Sequence, residues 1–233
     1  MPFPTPLQII GATVVVTGAS SGLGRVTAHA FARAGANLVL AARGREALDA
    51  VARECTALGA RTLVVPTDTR DAAAVSELAA VASRVLGRID LWIDNAAAPS
   101  GPASLPGRSH ATDALQPYFE AQGGGVLINI VTPRNLPVST GTAPTGTTGL
   151  RRFTAALLEP LFGAADVQVY EVDPGLIDAP GLRHEVVAER VLSLVRPAPV
   201  AFAKGGVTLT LLAAGAALGL VGAIAIAVSR ARR

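Results

Sequence analysis

Short apolar runs alternate with segments of helical periodicity along most of the 233-residue chain. Runs rich in valine, leucine and isoleucine predict buried strands, whereas apolar residues spaced three and four apart predict helices that cover them. The predicted strands are residues 13–16, 37–41, 61–66, 91–94, 126–131 and 167–172. The predicted helices are residues 23–34, 46–58, 71–86, 110–122, 150–162 and 183–195.

This alternation decides the fold class. Parallel strands need a crossover connection, and a helix supplies it in a right-handed βαβ unit. The sequence therefore predicts an α/β fold with a doubly wound, Rossmann-like parallel sheet in a single domain over residues 7–195. Little of the fourth crossover can be helical, because the segment before the fifth strand is rich in proline and Pro117 falls inside its helix.

The pattern changes after the last predicted helix. Residues 196–206 contain two prolines and predict a hinge. The next 22 residues, 207–228, carry no charge, and residues 229–233 form a basic tail. A helix of that length crosses a bilayer core, so the sequence predicts a C-terminal apolar helix that spans the membrane. A terminal helix buried against the domain is the alternative.

Composition excludes several function classes. The formal net charge of +3 comes from scattered arginines without a basic patch, so we expect no nucleic-acid partner. Cys55 is the single cysteine and forms no intramolecular disulfide. The three histidines lack metal-ligand spacing, so we expect no metal site. The start of the chain has no export pattern, so we expect a membrane-associated protein whose main domain is cytoplasmic.

The candidate chemistry begins at a small-residue turn between the first strand and the first helix. Glycines allow a tight turn and a close approach of backbone to ligand. The helix that follows presents unpaired N–H groups and a partial positive charge, so an anion such as the pyrophosphate of a dinucleotide fits there. The candidate binding residues are Thr17, Gly18, Ser20, Ser21, Gly22, Leu23 and Gly24.

Five motifs, in this order and spacing, resemble those of the short-chain dehydrogenase/reductase family. They are TGASSGLG at 17–24, TDTRD at 67–71, GRIDLWIDN at 87–95, DNAAA at 94–98 and DPGLID at 173–178. The resemblance implies a dinucleotide cofactor, oxidoreductase chemistry and a small carbonyl or alcohol substrate. It implies a contact from Asp68 to the adenine of the cofactor. The further cofactor-binding candidates that it implies are Thr69, Asn95, Ala96, Pro174 and Gly175.

The residue at the end of the second strand bears on the choice of cofactor. An acid at this position hydrogen-bonds a free ribose 2′-hydroxyl, whereas an arginine accommodates a 2′-phosphate. This chain has Arg43 there, with Arg45 as a possible helper. We therefore expect NADP(H) to be favoured over NAD(H). The alternative is that both arginines are solvated residues at the start of a helix.

The resemblance fails at the residues that carry hydride transfer. The family's serine corresponds to Thr132, its tyrosine to Ala143 and its lysine to Thr147. A methyl group transfers no proton, and a threonine hydroxyl carries no charge that would lower a neighbouring pKa. Neither Tyr118 nor Tyr170 is followed by a lysine four residues later. Catalysis by the family's usual mechanism is therefore expected to be severely impaired.

The sequence thus predicts an NADP(H)-binding protein of this family, tethered to a membrane and catalytically impaired or inactive. The alternative is an active carbonyl or alcohol oxidoreductase with a non-standard set, in which Thr132 works with Asp173 or Tyr118 as the proton source. Two further alternatives are a degenerate sequence that has lost its function and a hydrolase whose nucleophile is Ser20 in a G-x-S-x-G elbow. Whether the chain forms a homo-oligomer is left open.

Overall fold

The computed structural model describes residues 7–95, 109–130, 165–172, 184–195, 201–204 and 207–210. Its centre is a parallel sheet of six strands in the order β3-β2-β1-β4-β5-β6. The strand order reverses between β1 and β4, and ligands of open α/β sheets bind at this switch point. The strands are β1 Thr13–Thr17, β2 Asn37–Ala42, β3 Thr62–Pro66, β4 Leu91–Asp94, β5 Gly124–Ile130 and β6 Asp166–Val172.

Five helices of the described residues cover both faces of this sheet. Helices α1, α2 and α5 pack on the face to which Val14 and Val16 of β1 point, and α3 and α4 pack on the face of Val15. Both faces of the strands are therefore buried, as the continuous apolar runs predict. The helices are α1 Gly22–Arg33, α2 Arg45–Ala57, α3 Ala72–Leu86, α4 His110–Gln122 and α5 His184–Val195. The predicted doubly wound sheet is confirmed.

Polar contacts with α2 stabilise the position of α1, the helix that begins beside the switch point. Glu54 of α2 accepts hydrogen bonds from Arg25 Nε at 2.9 Å and from His29 Nε2 at 2.8 Å, both on α1. The Arg25 guanidinium is the main reason why the pKa of Glu54 lies below its usual range. Since Arg25 stands in the first turn of α1, these contacts restrain the end of the helix that faces the sheet edge.

The predicted helix over residues 110–122 is confirmed although Pro117 lies inside it. Proline removes one helical hydrogen bond and crowds the preceding turn. Leu115 and Phe119 on either side of it are fully buried, so tertiary packing holds both halves of α4 on the sheet. The helix ends at Gly123, which has a left-handed conformation with φ of 81°. The chain then enters β5 two residues earlier than predicted, at Gly124.

The structure differs from the sequence prediction in the C-terminal segment. Residues Val207–Thr210 form a strand, β8, which pairs antiparallel with β7 at Ala201–Lys204. The predicted apolar helix over 207–228 is therefore wrong at its start, and part of the predicted hinge is a strand. The reason is local, because β-branched residues follow a Gly-Gly pair, a sequence typical of hairpins. Residues 211–233 lie outside the described part, in which no helix is both long and apolar enough to cross a membrane.

Candidate functional site

Two glycines with left-handed backbone form the turn between β1 and α1. Gly18 has φ of 63° and Gly22 has φ of 51°, a region that residues with a Cβ rarely adopt. Between them, the N–H of Ala19 donates to the carbonyl oxygen of Ala41 at 3.1 Å, which ties the turn to the end of β2. The turn is thus held at the carboxyl edge of the sheet, beside the switch point.

A third glycine lets this turn lie against α1. An ideal Cβ on Gly24 would collide with the carbonyl oxygen of Gly18, and would lie 2.7 Å from the carbonyl carbon of Gly18 and 2.8 Å from Nδ2 of Asn95. Real Cβ atoms almost never approach other atoms so closely. Only a hydrogen atom fits, so the third glycine is required for close packing of helix and turn.

The first turn of α1 is open to an anion. Ser21 is the N-cap residue, but its side chain makes no capping hydrogen bond, and no acidic residue lies in the first turn. The helical hydrogen bonds begin with Arg25, whose N–H donates to the carbonyl of Ser21 at 3.3 Å. The preceding N–H groups therefore point out of the helix end with its positive partial charge, and they fit the pyrophosphate of a dinucleotide.

A buried network links the turn to the end of β4. Thr17 donates its hydroxyl to Asp94 Oδ1 at 2.9 Å and accepts the N–H of Asn95 at 3.1 Å. Thr17 and Asp94 are almost fully buried. The network fixes Asn95, whose amide group lies beside Gly24. Sequence reasoning selected Thr17 and Asn95 but missed Asp94, although the DNAAA motif contains it.

Three charged residues stand at the ends of β2 and β3. Arg43 follows β2 and is exposed, and it has no ion-pair partner among the residues that the structure describes. Asp68 accepts hydrogen bonds from Arg70, with Arg70 Nη2 at 2.6 Å from Asp68 Oδ2. These bonds, helped by the charge of Arg43, hold the pKa of Asp68 well below its usual range. Sequence reasoning missed Arg70, for which the signal was its position two residues after the acid.

A small cleft lies next to this network on the α3 and α4 side of the sheet. Predicted site residues Thr17 and Thr69 line it, together with the carboxylate-bearing Asp94. The beginning of α4 closes the cleft with Ser109 and His110, which sequence reasoning did not select. Another unselected residue is His184, whose Nε2 would lie 3.9 Å from an ideal Cβ on Gly22. The cleft and the turn adjoin through Thr17.

The two tyrosines lie away from the turn. Tyr170 is buried inside β6, its hydroxyl donates to Gln168 Oε1 at 2.6 Å, and burial raises its pKa to about 12. Tyr118 packs against the apolar cluster under α3 and α4. It lies about 12 Å along α4 from His110, at 1.5 Å rise per residue. One turn further on, Gln122 donates to the carbonyl of Ile89 before β4, so Tyr118 lies in the half of α4 that is nearer the amino ends of the strands.

The other predicted site residues lie outside the described part of the chain and stay predictions. Among the described residues, no group of three or more histidine, cysteine, aspartate or glutamate side chains could hold a metal ion. The predicted site residues outside the description are Ala96, Thr132, Ala143, Thr147, Pro174 and Gly175.

Comparisons with known proteins agree with this geometry. An uncharacterized oxidoreductase of Mycobacterium tuberculosis is 32% identical over 190 residues, which cover 75% of this chain and 72% of that protein. A ketoacyl reductase of Nostoc is 27% identical over 215 residues, 83% of this chain and 74% of that protein. A metagenomic short-chain oxidoreductase, solved in complex with NADP, is 29% identical with a TM-score of 0.60, covering 82% of this chain and 93% of that one.

A hydroxysteroid dehydrogenase of Escherichia coli has the same fold, with a TM-score of 0.63 at 22% identity over 82% of this chain and 91% of that one. The sequence model of the short chain dehydrogenase family matches residues 12–190. That span runs from the strand before the glycine turn into the last described helix of the domain. The chain therefore belongs to the short-chain dehydrogenase family.

Proposed function

We propose that this chain is a membrane-tethered, NADP(H)-binding member of its family in which hydride transfer is slow or absent. The observation that carries the proposal is a contrast between the two ends of the site. The described residues of the glycine turn pack closely at the switch point, which supports dinucleotide binding, whereas both tyrosines lie away from the switch point. When bound, the nicotinamide would supply or accept the hydride.

The binding half is supported by geometry and charge together. The open first turn of α1 offers N–H groups to the pyrophosphate, and Gly24 allows the turn to approach the helix. Arg43 stands where a 2′-phosphate is recognised in this fold, which favours NADP(H) over NAD(H). The solved relative with bound NADP is compatible with this preference.

The chain offers few side chains that could donate the proton for hydride transfer. Lys204 is the single lysine of the sequence, and it lies in β7 rather than four residues after a tyrosine. The hydroxyl of Tyr170 already donates a hydrogen bond to Gln168, and burial raises its pKa. Tyr170 is therefore a poor acid or base near neutral pH. A general acid or base contributes about 10²–10⁴-fold to a rate, and we propose that this factor is missing.

We expect the purified protein to bind NADPH with a dissociation constant of about 1–10 μM, equivalent to about −7 to −8 kcal/mol. Titration of NADPH fluorescence measures this affinity. Mixtures of the complex with a panel of aldehydes and ketones should show no oxidation of NADPH above the rate without protein. Steady oxidation with one of them, abolished in Thr132→Ala, would instead establish the alternative of a non-standard catalytic set.

The tethering is proposed from the sequence that follows β8. Residues 211–228 are uncharged, and as a helix these 18 residues would extend about 27 Å, close to the thickness of a bilayer core. Arginines at 230, 232 and 233 would lie among the head groups. We propose that the folded domain lies on the cytoplasmic side of that membrane.

Deleting residues 211–233 is expected to move the protein from the membrane fraction to the soluble fraction. The full-length chain should sediment with membranes after carbonate washing and dissolve only in detergent. A chain shortened to residue 210 keeps the β7–β8 hairpin, so it tests the tail alone. Full-length protein found in the soluble fraction without detergent would contradict the tethering.

A further inference from the structure

Two arginines and an acid lie at the edge where β2 and β3 leave the sheet. Ala42 pairs with Pro66, and the N–H of Thr67 donates to the carbonyl of Ala42 at 2.9 Å, so the two strand ends run side by side. Arg43 is the first residue after β2, and Asp68 is the second residue after β3. Both lie at the carboxyl edge, where cofactors of this fold present their ribose, and the charge of Arg43 helps to lower the pKa of Asp68.

The contacts of Arg70 fix the direction of its guanidinium group. Its Nε lies 3.0 Å from Asp68 Oδ1, and its Nη2 lies 2.6 Å from Asp68 Oδ2. Its backbone N–H also donates to Asp68 Oδ1 at 3.1 Å. An arginine has five N–H donors, so the edge that carries Nη1 keeps donors beyond those used on Asp68. The side chain of Arg70 is 66% exposed, so an anion can reach this edge.

We propose that Arg70, oriented by Asp68, is a second arm of the 2′-phosphate site and acts with Arg43 to select NADP(H). This inference rests on the NADP(H) preference of the proposed function. Asp68 is then a positioning residue for Arg70, because both of its carboxylate oxygens accept hydrogen bonds from Arg70.

The charge balance at this place suits a phosphate. Arg43 and Arg70 supply two positive charges against the single carboxylate of Asp68. Two acids close in sequence to Arg45 and Arg70 have partners of their own. Asp49 lies 4.0 Å from Arg45 on α2, and Asp71 accepts the N–H of Ala73 at 2.9 Å as the cap of α3. A guanidinium held in one orientation loses less freedom on binding a phosphate than a free one.

Two small probes test the assignment on the full-length protein by isothermal titration calorimetry. Adenosine 2′,5′-bisphosphate carries the 2′-phosphate, and adenosine 5′-monophosphate lacks it. Arg70→Ala is expected to weaken binding of the bisphosphate by about tenfold or more, as for a lost charge-assisted hydrogen bond. Binding of the monophosphate should stay within about twofold of wild type, because that probe has no group for Arg70 to bind.

Asp68→Asn serves as the test of the positioning role. It leaves the charge of Arg70 in place but removes the carboxylate that orients it, so we expect a loss of about threefold for the bisphosphate and none for the monophosphate. Arg84→Ala is the matched control. Arg84 is 68% exposed and lies 3.8 Å from Glu77, a similar exposed ion pair on α3, and its loss should change neither affinity.

The outcomes separate this inference from the function on which it rests. A wild-type protein that binds both probes equally would overturn the NADP(H) preference itself. If the wild type prefers the bisphosphate, and Arg43→Ala removes this preference while Arg70→Ala leaves it intact, only the assignment of Arg70 is overturned. An equal loss of both probes in Asp68→Asn would show that Asp68 contacts adenine, and would overturn its positioning role.

Discussion

Replacing Gly24 with alanine is expected to weaken NADPH binding by at least about 100-fold, equivalent to losing two hydrogen bonds to a charged group. The reason is steric. The added methyl group would collide with the carbonyl oxygen of Gly18 and would lie 2.8 Å from Asn95 Nδ2. Neither group can move aside easily, because the Gly18 carbonyl belongs to the backbone of the turn and the N–H of Asn95 is hydrogen-bonded to Thr17. The turn must move away from α1, which spoils the N–H cradle for the pyrophosphate.

The same variant should lose about 2–3 kcal/mol of unfolding free energy, as expected for overpacking that shifts backbone. Chemical denaturation measures this loss, and NADPH fluorescence measures the affinity. Gly44→Ala is the matched control, because a Cβ there meets nothing within 4 Å and φ is −87°. It should cost less than about 1 kcal/mol. A Gly24→Ala protein that binds NADPH like wild type would contradict the close packing of helix and turn.

Replacing Thr17 with valine is expected to lower the free energy of unfolding by about 2–4 kcal/mol, since two buried hydrogen bonds are lost and one of them is to a carboxylate. Valine has the shape of threonine but has no hydroxyl for Asp94 Oδ1 and none for the N–H of Asn95. Asn95 is then released from its place beside Gly24. NADPH affinity should fall by about tenfold, as for the loss of one supporting hydrogen bond.

Thr17→Ser separates the hydroxyl from the size of the side chain. Serine keeps both hydrogen bonds and loses one methyl group, so it should cost about 1 kcal/mol and leave NADPH affinity close to wild type. Urea denaturation of the three proteins, with NADPH titration of each, gives the comparison. Equal stability of the valine and serine variants would show that the network contributes nothing beyond packing.

Local pattern was enough to predict most of the fold. Val14 to Val16 and the other central runs are apolar on both faces, which only a sheet covered by helices can bury. The helix His110–Gln122 has the predicted bounds in spite of Pro117, and Leu115 and Phe119, four residues apart on it, are both buried. Element ends were less certain. Gly124 and Gly125 extend β5, and Gly125 is tolerated there because it leaves room for the ring of Phe119.

The tail shows how a long-range pattern can mislead. The uncharged run predicted a helix from residue 207, but its first four residues pair as β8 with Ala201–Lys204. Hydropathy counts apolar residues over a window and does not distinguish a strand at its start from a helix. Backbone hydrogen bonds between β7 and β8 decide the conformation there, and they join residues on both sides of the predicted boundary.

The sequence by itself determined the parallel α/β fold, the glycine turn and the lack of a tyrosine followed by lysine, because each is a matter of residue type and spacing along the chain. Tertiary structure alone decided which side chains meet. Asp94 reaches Thr17 across 77 positions, and Arg43 after β2 lies close enough to Asp68 after β3 to help lower its pKa. Such contacts depend on strand register and on side-chain direction at the sheet edge, which no local pattern encodes.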